Sequence, residues 1–173
     1  MKSVTIVVTM CVVIGGGILL NSTDAQEPKK KAEKEFILKP IGSVHKENGC
    51  TTLLLNKDVE PALLGFDGFS HVWVLWWFDR NDTKEQRSIL QLHPRGNGNN
   101  PLTGVFACRA PVRPNLIAFT LCRVLTIKDN LVEVDEIDAF ANTPILDLKP
   151  YIPSCDSAKA SIPDWLKSRE KSY

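Results

Sequence analysis

Two arginines on stiff backbone are the sharpest chemical signal in this sequence. Arg109 and Arg113 stand in the stretch 104–115, Gly-Val-Phe-Ala-Cys-Arg-Ala-Pro-Val-Arg-Pro-Asn, interleaved with Pro111 and Pro114. Each proline fixes its own φ and drives the residue before it towards extended backbone. Cations held this way lose little entropy when they grip an anion, so the stretch reads as an anion-binding corner. The bland alternative is a surface turn whose arginines are solvated. Other chemical patterns are missing. No glycine-rich phosphate loop joins a strand to a helix, and no Gly-x-Ser-x-Gly occurs, so neither a dinucleotide fold nor a P-loop is supported. No Cys-x-x-Cys occurs and His45, His71 and His93 are scattered, which fits no zinc pattern and predicts no metal.

The elements that must position the arginines are short and β-prone. An apolar run, residues 105–107, enters the corner as a buried strand, and a second, 116–127, leaves it. Residues 69–78, Phe-Ser-His-Val-Trp-Val-Leu-Trp-Trp-Phe, are aromatic and β-branched and predict a central strand. Alternation puts Trp73, Leu75 and Trp77 on one of its faces and Val74, Trp76 and Phe78 on the other. Both faces are apolar, so both need cover. Further strands are expected at 36–44 (broken at Pro40), 51–55, 87–92, 131–137 and 145–148, with a helical turn at 59–64 and a last short helix at 163–166. Turns fall at 65–68, at Asp129-Asn130 and at Asn142-Thr143-Pro144, and 93–101 is a loop. Seven or so short strands with tight turns predict a mostly β fold, a small antiparallel barrel or sandwich with short helical additions.

The chain has 173 residues, room for one domain with a real core, and four Trp and seven Phe to fill it. Lys and Arg number 21 against 20 Asp and Glu, so no overall basic field draws the protein to nucleic acid. Residues 1–25 read as a secretory signal: Lys2, then the uncharged run from Val4 to Leu20, then Thr23 and Ala25 at the spacing of a cleavage site before Gln26. That makes the protein exported, periplasmic or secreted. An uncleaved anchor is the alternative, since 17 residues is the short edge of spanning length. A mis-assigned start codon would leave the protein in the cytoplasm. Residues 26–35 follow as a charged linker, 36–156 as the domain and 157–173 as a polar tail. With Cys11 removed, Cys50, Cys108, Cys122 and Cys155 remain, enough for two disulfides with three possible pairings, or four free thiols.

Four motifs occur in a telling order: Phe69-Ser70-His71-Val72-Trp73, His93-Pro94-Arg95-Gly96, the corner 104–115, and Thr143-Pro144-Ile145-Leu146-Asp147-Leu148-Lys149-Pro150-Tyr151. Together they resemble the TsaA-like, or TrmO, family from about Ile37 to Asp156. The resemblance implies a small β-barrel acting as a homodimer. It also implies an S-adenosylmethionine-dependent methyltransferase that modifies the exocyclic amine of a threonylcarbamoyl-modified adenosine in tRNA. By position it assigns the cofactor to Phe78, Asp79, Arg109, Phe119 and the run Asp135, Glu136, Ile137 and Asp138. It implies Arg113, Asn115, Lys149 and Tyr151 for the substrate, and Asp138 or Asp147 as an optional proton acceptor. The chemistry suits a sulfonium: aromatic faces and carboxylates attract the cation, and a guanidinium fork takes a carboxylate.

The chain also departs from the family's pattern. Ala107-Cys108-Arg109-Ala110-Pro111 replaces the usual Ala-Thr-Arg-Ser-Pro, and Pro114-Asn115-Leu116-Ile117-Ala118 the usual Pro-Asn-Pro-Ile-Gly. Ala141-Asn142-Thr143-Pro144 stands for Asp-Gly-Thr-Pro, and only Asn48-Gly49-Cys50 lies where a Pro-Arg-Gln loop is expected. With the export signal, these changes define a second expectation: an exported, non-catalytic barrel binding an adenosine-like or carboxylate ligand.

Overall fold

The computed structural model describes residues 36–167, and the leader, its cleavage site and the whole of the linker lie outside them. All its elements fall within Ile37–Tyr173. In chain order the strands are β1 (Gly42–Glu47), β2 (Cys50–Leu55), β3 (His71–Trp77), β4 (Gln91–Leu92), β5 (Thr103–Gly104), β6 (Ile117–Lys128), β7 (Leu131–Val134) and β8 (Pro144–Pro150). Six of them close an antiparallel barrel in the order β1-β2-β7-β6-β3-β8, and β4 and β5 form a separate two-stranded ribbon. The helices are single turns: α1 (Lys84–Arg87), α2 (Pro153–Asp156) and α3 (Asp164–Lys167). The expected mostly β barrel is what the chain forms.

Strict alternation sets the core. Val72, Val74 and Trp76 of β3 are buried, while Trp73, Leu75 and Trp77 on the other face are half-buried. The inner row meets Cys122 and Ala118 of β6 across the ladder, and Val44, Leu53, Val132 and Ile145 complete the interior. On β6 the inward parity changes once. Its register to β7 shifts between Val124 and Thr126, so Leu125 is extra, and Ile127 rather than an even-numbered residue then packs against the core. One added residue in a strand flips every side chain beyond it.

Two local features hold the closure. Asn48 (φ 51°) and Gly49 (φ 79°) make the tight turn joining β1 to β2, where both central residues need positive φ. Buried Asn130 accepts the Leu55 N–H on its carbonyl (2.9 Å) and donates its side-chain amide to the Leu55 carbonyl, pinning the end of β2.

Four expected strands are shorter or different. Pairing of the first begins with Ile41 N donating to Ile145 O (2.8 Å), because Pro40 has no N–H to offer, and Phe36, Ile37 and Leu38 stay exposed. At 87–92, Thr83 caps α1 through its Oγ1, which accepts the Gln86 N–H, and only Gln91–Leu92 is left to pair. Residues 105–107 form a 3-10 turn with Phe106 84% exposed, so the corner is entered by a turn and not by a buried strand. β7 ends at Val134 because the Asp135 carboxylate then accepts the Arg123 N–H (2.8 Å) in place of a backbone carbonyl.

Candidate functional site

A groove of about 310 Å³ opens where β3, β6 and the corner loop meet the stretch after β7. Of the sequence-derived site residues, Phe78, Arg109, Arg113, Phe119 and Asp138 line it; Trp73, Trp76 and Thr120 join them.

The guanidinium of Arg109 lies over the Phe119 ring, 4.7 Å from its centroid. Phe119 in turn meets Trp73 at 5.2 Å with a 58° tilt, and Trp76 meets Phe78 edge-on at 4.7 Å. Arg109 is exposed and makes no ion pair among the described residues, so its fork remains available to an anion. Arg113 does different work. Its Nη2 donates to Val105 O (2.8 Å) and Cys108 O (2.9 Å), fastening the turn that leads to Arg109, while its buried Nε finds no acceptor among the described residues. A second brace comes from Arg87. Its Nη1 donates to Pro114 O (2.8 Å) and its Nε to Asp82 (2.7 Å). Asp82 also accepts the Trp77 indole N–H (3.1 Å), and the Arg87 and Trp77 bonds hold its carboxyl below its ordinary value. The corner is therefore tied to the end of β3 by side chains as well as stiffened by its prolines.

Across the groove, residues 137–140 alternate: Ile137 and Ala139 are buried, Asp138 and Phe140 point out. Lys46 Nζ donates to Ile137 O (2.6 Å), which steadies this stretch. Asp138 Oδ1 accepts the Thr120 hydroxyl (2.6 Å), and its Oδ2 has no partner among the described residues.

The other expected residues lie elsewhere. Asp147 accepts its neighbour Leu148 N–H on Oδ1 (3.0 Å) and Lys149 Nζ on Oδ2 (2.7 Å), and neither residue lines the groove. The Asp147 hydrogen bond raises the affinity of Lys149 for its proton. Tyr151 packs on His71 and Trp73, each with ring centroids 6.2 Å away, which puts it behind a groove wall. Asn115 turns the chain into β6 through its carbonyl, which accepts Ile117 N–H (2.7 Å). Asp79 meets Thr143 Oγ1 at 3.4 Å, outside the lining. Burial raises the Asp135 carboxyl, but the N–H groups of Arg123 and Glu136 and the Arg123 charge outweigh that and lower it overall. Glu136 contributes that N–H, and Ile137 belongs to the core.

Sequence reasoning missed Thr120 and Trp76. The signal was available: alternation along 118–122 places a lone hydroxyl on the inward face, opposite the apolar row of 72–76. The four described cysteines are free thiols, and burial, then the charges of Asp135 and Asp138, push Cys122 up to about 12. Among the described residues no group of His, Cys, Asp and Glu is placed to hold a metal. A second depression, of about 360 Å³, lies beside β1 and β2 and is lined by none of the expected residues.

Comparison with known proteins places these residues in context. Residues 33–157 match the family described as tRNA-methyltransferase O N-terminal domain. A probable S-adenosyl-L-methionine-binding protein of Methanocaldococcus jannaschii is 41% identical over 124 residues, which is 72% of this chain and 98% of the relative. The tRNA (adenine(37)-N6)-methyltransferase of Escherichia coli is 32% identical over 129 residues, 72% of this chain and 54% of that enzyme. The crystal structure of TrmO from Pseudomonas aeruginosa superposes with a TM-score of 0.60 at 27% identity, over 78% of this chain and 63% of that one. The chain thus spans nearly all of the archaeal relative and little more than half of the bacterial enzyme.

Proposed function

Because the chain belongs to the tRNA-methyltransferase O N-terminal domain family, we propose that its groove binds S-adenosylmethionine and that the protein methylates the exocyclic amine of a threonylcarbamoyl-modified adenosine in tRNA. One observation carries the reading: a free arginine fork on an aromatic shelf faces a carboxylate with one unpaired oxygen, across a groove of about 310 Å³. The residues suit the cofactor. Arg109 matches its methionyl carboxylate, Asp138 and the rings of Phe78 and Phe119 suit a cation, and the orphaned Arg113 Nε lacks only an acceptor.

The bound cofactor would supply an electrophilic methyl group on a positively charged sulfur. The protein's own part is to position and to take a proton. The corner, braced by Arg113 and Arg87, holds Arg109 so that a ligand carboxylate binds in one orientation, and such positioning supplies most of the rate of an in-line transfer. Asp138 lines the groove, and its Oδ2, not engaged by Thr120, is the acceptor for the proton that the amine sheds as it is alkylated. Asp147, with both oxygens engaged, is the poorer choice.

Methyl transfer to an anticodon stem-loop carrying the modified adenosine tests this. Asp138→Asn is expected to slow turnover on the order of a hundredfold, and Asp147→Asn to leave it near wild type. The reverse ranking would move the proton acceptor to β8. In the homodimer that the family resemblance implies, a second copy is the natural cover for Phe106, an apolar side chain that one barrel leaves 84% exposed. Sedimentation showing monomer alone at micromolar concentration would remove that element of the proposal.

The signal-like N-terminus favours the second reading, an exported barrel that binds an adenosine-like or carboxylate ligand without chemistry. A wild-type protein that binds S-adenosylmethionine yet never transfers its methyl group would support it.

A further inference from the structure

The groove wall contains a relay that aims its carboxylate. Trp76 and Thr120 are diagonal neighbours across β3 and β6, whose register pairs Val74 with Thr120 and Trp76 with Ala118. Trp76 Nε1 lies 3.1 Å from Thr120 Oγ1, and Thr120 Oγ1 lies 2.6 Å from Asp138 Oδ1. The direction of both bonds is forced. An indole nitrogen can only donate, so the threonine oxygen accepts, and its one hydrogen goes to the carboxylate. The relay begins in the core, since Trp76 is only 4% exposed, and ends on a side chain that reaches solvent.

We propose that Thr120 is the positioning residue for Asp138, fixing its Oδ1 so that Oδ2 is presented to the substrate amine in the groove. This rests on the methyl-transfer reading above. The carboxylate sits on an irregular stretch after β7, with no strand ladder of its own to hold it. A hydroxyl fixed from the core supplies the missing constraint. Unbraced, the exposed carboxylate would rotate about χ1 and χ2, and losing alignment at the reacting atoms costs rate even when binding survives. Trp76 is the anchor. Its ring is locked between the barrel interior and Phe78, so it transmits the position of β3 to a group on another segment.

Two readouts test this, one of them independent of catalysis. In the full chain without cofactor or tRNA, Asp138→Ala should shift the Trp76 indole N–H resonance although no direct hydrogen bond joins the two side chains. On a Thr120→Val background the same change should leave that resonance still. An unmoved resonance in Asp138→Ala would overturn the relay, whether or not the protein is a methyltransferase. In the methyl-transfer assay, Thr120→Val is expected to lower kcat by about tenfold to a hundredfold with KM for S-adenosylmethionine unchanged. Thr120→Ser, which keeps the hydroxyl, should restore kcat to within a few-fold. If valine and serine behave alike, or if KM alone changes, Thr120 does not position Asp138. A wild type that transfers no methyl group defeats the enzyme reading and leaves the resonance test standing.

Discussion

At the residue scale, function divides between groups that are free and groups already spent. Arg109 and Arg113 look equivalent in the sequence, each an arginine beside a proline. In the folded chain Arg113 clamps two carbonyls of its own loop and Arg109 alone keeps an open fork. No sequence pattern separates them, because the difference lies in which carbonyls the 3-10 turn at Val105–Ala107 presents. Asp138 and Asp147 part in the same way. The second is neutralised by Lys149, a neighbour two residues on and thus on the same strand face, which alternation could have foreseen. Asp82 yields a pH prediction. Its carboxyl is held below the ordinary 3.8 by hydrogen bonds from Arg87 and Trp77. Its contribution to stability is therefore complete above the unfolded value and is lost as pH falls through the lower, folded one. Trp77 fluorescence should report that acid transition, and Asp82→Asn should erase it. An acid titration identical in wild type and variant would contradict the Trp77–Asp82–Arg87 network.

At the element scale, the strands with clean alternation were legible and those ended by side chains were not. The faces of β3 and the turn at Asp129-Asn130 follow directly from residue type. The stop of β7 depends on Asp135 reaching the Arg123 amide, a contact between strands that no local pattern encodes. Departures from the family pattern are also absorbed locally. Asn142, where the resemblance leads one to expect glycine, sits at φ 66°, and asparagine is among the few side chains that tolerate that region. Gly42 has no such latitude. A Cβ there would lie 2.3 Å from Leu54 O and 2.8 Å from Leu55 Cα, at the point where β1 pairs with both β2 and β8. Gly42→Ala is expected to destabilise the barrel by about 1–3 kcal/mol, read as a lower midpoint in urea. An unchanged midpoint would mean that β1 can shift without opening the closure.

At the scale of the whole molecule, the fold gathers five of the expected site residues into one groove, because a barrel brings strands distant in sequence edge to edge. The address of the chain is a separate matter from the chemistry of its groove. The charged start, apolar run and small-residue cut predict a native chain that begins near Gln26 in an exported fraction. Mass spectrometry of the native protein decides it, and an intact Met1 on a cytosolic species would overturn export. Export would also part the groove from tRNA, so the result bears on which adenosine compound it meets. The central claim is that the groove is an S-adenosylmethionine site built on Arg109. Calorimetric titration of the purified chain tests it most directly. Wild type should bind S-adenosylmethionine saturably, and Arg109→Ala should lose about 1.5–3 kcal/mol, a tenfold to hundredfold weakening. Arg109→Lys should recover little, since a point charge cannot reproduce the fork. Equal affinity in wild type and Arg109→Ala, or no binding by a well-folded wild type, would contradict the account.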